Sequence, residues 1–141
     1  VKSSARLVAH QNRGERIEIK IEEAKKLPLV NADEGQLQQA IIALATNAID
    51  AMPDGGTLTF RTLVERNRLI VEVKDTGIGI SPDDMPKVFE PFFTTKEVGK
   101  GTGLGLAVCY GIITEHGGRL TVSSKVEVGT TFTISLPTHR R

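Results

Sequence analysis

Three features of this chain place binding chemistry where structure alone gives it little reason to be. The first is Asn47, an amide inside Gln39 to Met52 (QAIIALATNAIDAM), the most apolar helical run of the sequence. A buried amide without partners costs on the order of 1–3 kcal/mol, so protein, solvent or a ligand must satisfy it. Asp50, three residues on, shares its side of the helix. The second is Asp75. Leu69, Val71 and Val73 alternate along one strand face, and Asp75 has the same parity, so its carboxylate points inward at the strand end. An ionised carboxylate facing a core is costly unless something pairs it. A ligand with hydrogen-bond donors, such as an amino group on a purine, would do so. The third is glycine in phase: Asp75-Thr76-Gly77-Ile78-Gly79, then Gly99-Lys100-Gly101-Thr102-Gly103-Leu104-Gly105 running into a helix. Backbone N–H groups at a helix N-terminus attract anions, phosphate above all.

Each feature has a plainer reading. Asn47 alone is better explained by protein partners or an exposed strip, because buried polar groups usually find protein partners. Asp75 alone is slightly better explained by an Asp-Thr-Gly turn. The glycine run could be a hinge, although four alternating glycines entering a helix favour the anion site. Familiar phosphate motifs do not fit. A Walker A loop would need glycine where Thr94 stands and Ser or Thr where Gly101 stands. The dinucleotide fingerprint fails at Leu106. No H-R-D or D-F-G run is present. His10, His116 and His139 are scattered and form no metal pair, and His116 ends a helix where a cation suits the dipole. Cys109 lies among apolar helical residues and reads as inert core.

Positioning these residues requires a folded domain, and the totals allow one. The chain has 141 residues, 39% hydrophobic and 25% charged, enough for a core without staples. A net charge of +1 gives no electrostatic case for nucleic acid or an anionic membrane. No run is long and apolar enough to span a bilayer, and the start lacks a signal-peptide core. A single cysteine permits no internal disulfide and fits a cytoplasmic setting. The lack of an initiator Met reads as a piece of a longer protein.

Arg16 to Ile21 alternates as a strand burying Ile17, Ile19 and Ile21. Asp33 with Gln36 reads as an N-cap and its partner, opening a helix that runs to about Met52 and is apolar almost all round, hence buried. Thr57–Val64 and Arg68–Lys74 read as a hairpin, and Arg119–Ser124 and Thr130–Leu136 as two further strands. Between them, residues 76–103 hold one short helix, with Ser81 as cap and Pro82 in its first turn, in a long lid-like stretch. Leu104–His116 is helical, ended by Gly117-Gly118. The order β-α-β-β-lid-α-β-β predicts a two-layer α/β sandwich of the α+β kind: a mixed, mostly antiparallel sheet with helices packed on one face.

Taken in order, these pieces resemble the catalytic, ATP-binding domain of sensor histidine kinases, within the GHKL superfamily of Bergerat-fold ATPases. Gln39 to Met52 is similar to the N box, Asp75 to Gly79 (DTGIG) to the G1 box, Phe89 to Lys96 (FEPFFTTK) to the F box, and Gly101 to Leu106 (GTGLGL) to the G2 box. Gly129 to Pro137 (GTTFTISLP) is similar to the family's last strand. Any one box is weak; four in order are strong. FEPFFTTK with NAIDAM looks most like the nitrogen-regulatory branch.

The resemblance implies ATP and Mg²⁺ as cofactors. Asn47 would hold the metal, and Asn47 and Lys96 would serve the transfer. Asp75 would accept the adenine amino hydrogen, with Thr130 beside it. Gly77 and Gly79 would admit the nucleotide, with Asp50, Ile80, Phe89 and Thr95 around it. Lys96 and Lys100 would reach the γ-phosphate, and Gly101, Thr102, Gly103, Leu104, Gly105 and Leu106 would close over the phosphates. Two departures stand out: Ala43 where many relatives carry a second Asn, and Thr94 where many carry Arg.

The acceptor histidine would lie on a dimerisation and phosphotransfer domain outside this chain, with a response regulator receiver domain next. Residues 1–15 would be the tail of the connector to that domain, and residues 16–141 the ATP-binding domain. The piece itself is expected to be monomeric and cytoplasmic without membrane contact, whether or not the full-length protein is anchored. The rivals are a self-contained ATPase or serine kinase of the same fold, and a non-catalytic nucleotide sensor. The F box argues against the first, while Ala43 and Thr94 suit the second.

Overall fold

The computed structural model describes residues 17–22, 33–52, 54–89 and 105–137. Strand β1 is Ile17–Glu22, helix α1 Glu34–Asp50, β2 Gly56–Glu65, β3 Arg68–Asp75, helix α2 Gly105–Glu115, β4 Arg119–Lys125 and β5 Gly129–Pro137. The strands form one sheet in the order β1-β2-β3-β5-β4. β1 pairs parallel with β2, and every other pairing is antiparallel. Both helices pack on one face, as the order of elements predicted. Residues 1–15, the connector reading, and Lys25–Ala32 lie outside the described residues.

The α1 start follows its sequence. Asp33 accepts the Gln36 backbone N–H on its side-chain Oδ1 at 2.9 Å, and its extended backbone turns the chain into the helix. α1 buries Ala40, Ile41, Leu44, Ala45 and Ala48 against the sheet, while Ile42 and Ile49 are half-buried and Thr46 and Asp50 are exposed. The helix is therefore amphipathic, not buried all round. With two layers, only its sheet side and its α2 side are covered.

The hairpin β2–β3 turns through Arg66 and Asn67, both at positive φ (49° and 63°), the backbone twist that tight hairpins prefer. Period-2 alternation puts Leu58, Phe60 and Thr62 of β2, Leu69, Val71, Val73 and Asp75 of β3, and Thr130, Phe132, Ile134 and Leu136 of β5 on the helix-covered face. Phe60, Leu44, Phe132, Cys109 and Ile113 are fully buried. A buried side chain of the larger kind contributes about 1.5–3 kcal/mol. Burial also pushes the Cys109 thiol up to about 12, so it stays protonated and inert at neutral pH.

Two local expectations change. The helix expected after Ser81 is a turn followed by one 3₁₀ turn, Met85–Lys87. Pro86 has no N–H for the Pro82 carbonyl, and its ring would crowd that carbonyl, so an α-helix cannot pass. Ser81 serves through its backbone carbonyl, which accepts the Asp84 and Met85 N–H groups at 3.0 and 3.1 Å. His116 is not a free cation at a helix end. Its Nε2 accepts the Asp33 backbone N–H at 3.0 Å, and its Nδ1 donates to the Ile112 carbonyl at 2.7 Å. That pattern requires the neutral ring and ties the end of α2 to the start of α1.

Candidate active site

The strand parity of Asp75 has the consequence expected of it. Asp75 is 2% exposed at the end of β3, directly opposite Thr130 of β5. Its Oδ1 accepts the Gly77 N–H at 2.8 Å and the Thr130 N–H at 3.2 Å. The first of these is a turn of the Asp-x-Gly kind, so the plain reading of this residue is also correct. It accounts for only one oxygen: among the described residues Oδ2 has no hydrogen-bond partner. Burial pushes the carboxyl above the usual carboxylate range, and the Gly77 and Thr130 N–H groups pull part of the way back. The result is a buried acceptor with Oδ1 held by two backbone N–H groups and Oδ2 without a hydrogen-bond partner among the described residues.

The segment after Asp75 is held on three sides. The Ile78 N–H donates to the Ala51 carbonyl at 3.0 Å, joining it to the end of α1. The Glu127 N–H donates to the Ile78 carbonyl at 2.8 Å, joining it to the β4–β5 turn. The Ile80 N–H donates to Ser124 Oγ at 2.8 Å. Gly77 and Gly79 are needed by the protein itself. A Cβ on Gly77 would overlap the Ala51 carbonyl oxygen, and one on Gly79, at φ 77°, the Lys125 carbonyl oxygen. Gly79→Ala is expected to cost about 1–3 kcal/mol from strain and overlap together, read as a lowered midpoint in urea unfolding. A midpoint equal to wild type would remove the close approach as the reason for this glycine.

Asn47 and Asp50 lie on the last turn of α1, Asn47 one turn before Ala51, whose N–H donates to the Asn47 carbonyl at 3.1 Å. Asn47 is half-buried, and its side-chain amide has no hydrogen-bond partner among the described residues. Phe89 packs between the helix and sheet layers, with ring centroids 5.2 Å from Tyr110 of α2 and 6.2 Å from Phe132 of β5. Leu106 packs against the core at the start of α2, and Gly105 precedes it with open space where a Cβ would lie. Thr95, Lys96, Lys100, Gly101, Thr102, Gly103 and Leu104 lie outside the described residues.

Asp75, Gly77, Ile80 and Thr130 are thus linked by hydrogen bonds, directly or through Ser124, with Gly79 packed against the Lys125 carbonyl beside them, and the Ile78–Ala51 bond sets the group against the helix that carries Asn47. Sequence reasoning missed Ser124, which bonds Ile80, Gly129 and Thr130. It also missed Thr76, whose Oγ1 accepts the Thr57 N–H at 3.0 Å and closes the start of β2 onto the end of β3. Ser124 was detectable: it shares strand parity with Leu120 and Val122, a polar residue on a core-facing row.

Among the described residues no cluster of three or more His, Cys, Asp or Glu could hold a metal, and no helix is long and apolar enough to cross a membrane.

Known proteins are similar to this chain in sequence and fold. Residues 32–140 match the family described as histidine kinase-, DNA gyrase B-, and HSP90-like ATPase. The sensor kinase CckA of Brucella abortus (strain 2308) is 50% identical, over 88% of this chain and 15% of that protein. Sporulation kinase C of Bacillus subtilis (strain 168) is 40% identical, over 77% of this chain and 25% of its own length. The chain therefore spans about a quarter or less of these relatives. Among solved structures, the catalytic domain of histidine kinase ThkA superposes with a TM-score of 0.84 at 31% identity, over 97% of this chain and 90% of that one. Full-length ShkA in complex with AMPPNP superposes with a TM-score of 0.88 at 29% identity, over 99% of this chain and 29% of that one. With the family matched over most of its length and its fold shared with a histidine kinase catalytic domain, this chain belongs to the histidine kinase-, DNA gyrase B- and HSP90-like ATPases, as an ATP-binding catalytic domain of the sensor histidine kinase type.

Proposed function

We propose that this domain binds Mg²⁺–ATP at the Asp75 constellation and presents the γ-phosphate to a histidine on a separate dimerisation and phosphotransfer domain. The observation that carries the reading is the buried Asp75 carboxylate, with one oxygen held by two backbone N–H groups and the other without a hydrogen-bond partner among the described residues. An adenine amino group supplies the donor that oxygen lacks. The Asn47 amide oxygen, half-buried and without a protein partner among the described residues, suits a metal held mainly by phosphates and water. When bound, Mg²⁺ supplies charge neutralisation across the phosphate oxygens. Asp50, on the same turns of α1, is placed near that metal in this reading.

The glycine run Gly101, Gly103 and Gly105, with Thr102, Leu104 and Leu106, is proposed to cover the phosphates, and Thr95, Lys96 and Lys100 to approach them. These roles come from the motifs. So does the nitrogen-regulatory likeness, which rests on FEPFFTTK and NAIDAM alone. Attack by the acceptor histidine on the γ-phosphorus forms the P–N bond as the bond to the bridging oxygen breaks, leaving ADP. Such transfer depends chiefly on positioning and charge stabilisation. The phosphoryl group then passes to an aspartate of a response regulator receiver domain. In this reading the domain works in the cytoplasm, where ATP is, as a monomeric module joined through residues 1–15 to its partner domain. It makes no nucleic-acid or membrane contact of its own.

Calorimetric titration with ATP, with and without Mg²⁺, tests the site. Wild type should bind ATP more tightly with Mg²⁺. Asn47→Ala should lose that gain by at least the roughly tenfold that loss of an outer-shell partner of a metal typically costs. Wild-type binding indifferent to Mg²⁺ would sink the metal assignment, and no binding at all would sink the site.

A further inference from the structure

The bonding around Ser124 uses every valence its hydroxyl has. Its one proton goes to the Gly129 carbonyl at 3.1 Å. Its lone pairs receive the Ile80 N–H at 2.8 Å and, across 2.7 Å, the Thr130 hydroxyl proton. Ile80 ends the segment that begins at Asp75, and Thr130 is the residue whose N–H fixes Asp75 Oδ1. Among the described residues no hydrogen bond joins Ser124 to the Asp75 carboxylate. It is also not needed to hold β4 to β5, since the Ser124–Thr130 ladder pairing is made by backbone and the Glu127–Ile78 bond secures the neighbouring turn.

We infer that Ser124 is a positioning residue for base selection: by clamping Ile80 to Thr130 it holds the Asp75 carboxylate in the one rotation that offers Oδ2 to a 6-amino purine. This rests on the reading of Asp75 as the nucleobase acceptor. With the clamp removed, the Ile80 N–H and the Thr130 hydroxyl lose their shared partner, and the segment and strand that carry the Gly77 and Thr130 N–H groups are held to each other less firmly. Binding of the phosphates and ribose is unaffected, but preference for an amino over an oxo group at the 6-position falls.

The test compares ATP with inosine triphosphate, which carries oxygen at that position, by titration of the whole chain. Wild type should prefer ATP strongly. Ser124→Ala should lose about tenfold of that ratio, the loss expected when a hydrogen bond of ordinary strength no longer discriminates. Its melting temperature should stay close to wild type, and Ser124→Thr, which keeps the hydroxyl, should restore the ratio. If Ser124→Ala weakens both nucleotides equally, or leaves the ratio unchanged, the inference is wrong and the residue is merely structural. Thr130→Val breaks the same clamp from the other side and carries the test if Ser124→Ala does not fold; an unchanged ratio there also overturns it. Wild type taking both nucleotides alike would remove the Asp75 reading itself, a failure distinct from discrimination that survives the Ser124 change.

Discussion

Asp75→Asn is expected to lower ATP affinity by about a hundredfold or more while leaving the domain folded. The substitution keeps an oxygen for the Gly77 and Thr130 N–H groups. It puts an NH₂ where Oδ2 was, so a donor faces the adenine amino donor in a water-poor site. An unpaired buried polar group costs about 1–3 kcal/mol, and sites built on such bonds reject mismatched partners strongly. Stability should move the other way. Burial holds the Asp75 carboxyl above its ordinary value in the fold. From that ordinary value upward to the raised one, the folded state keeps a proton the unfolded chain has lost. Asp75 therefore makes the nucleotide-free domain less stable as pH rises through that window. The Asn variant lacks this component, so at pH 7 its melting temperature should equal or exceed wild type. Nucleotide binding within threefold of wild type (roughly 0.65 kcal/mol) would remove Asp75 from the site.

The largest stability effect should come from Phe132. It is fully buried on β5, between β3 and β4, with the Phe89 ring edge-on at 6.2 Å. Phe132→Ala removes both the transfer energy and the packing of a whole ring, about 3–5 kcal/mol. That is a large share of the roughly 5–15 kcal/mol that stabilises an ordinary domain. The urea midpoint should fall by about 2 M, and nucleotide binding should fail at temperatures where wild type binds. Phe132→Leu, which keeps most of the volume, should cost about 1.5 kcal/mol or less. If the alanine variant lost no more than the leucine variant, the ring would not be the packing element described.

What the residues revealed in advance follows from how local the cause was. Alternation marked the five strands because burial on one face is written every second residue, although in the edge strand β1 Ile17 and Ile19 are only half-buried and Ile21, expected inside, is 40% exposed. Asp33 and Gln36 marked the α1 start because the cap bond spans three positions. Asp75 was legible because a carboxylate in an apolar row is conspicuous. The turn after Ser81 was misread where Pro82 was weighed as a helix opener and Pro86 was not weighed as a breaker. His116 was misread for a different reason: its partner, the Asp33 N–H, lies 83 residues away. Local pattern carries no trace of such a bond. Ser124 fell between these cases, its parity visible but its three partners on two other segments.

The strand order has a consequence for how the molecule is made. β5, last of the five described strands, is inserted between β3 and β4 and supplies the Thr130 N–H that seats Asp75. During synthesis β1, α1, β2 and β3 emerge before β5, with one β3 edge unpaired and Asp75 facing a half-built interior. Domains complete themselves as synthesis proceeds from the N-terminus, and an unpaired edge is the exposed species on that route. On the reading of Asp75 as the nucleobase acceptor, the proposed nucleotide site stays incomplete until β5 has formed, because β5 supplies the Thr130 N–H. Newly made chains should therefore draw no stabilisation from cellular ATP until residues 129–137 have cleared the exit tunnel, and premature termination before that point yields a chain that nucleotide cannot rescue.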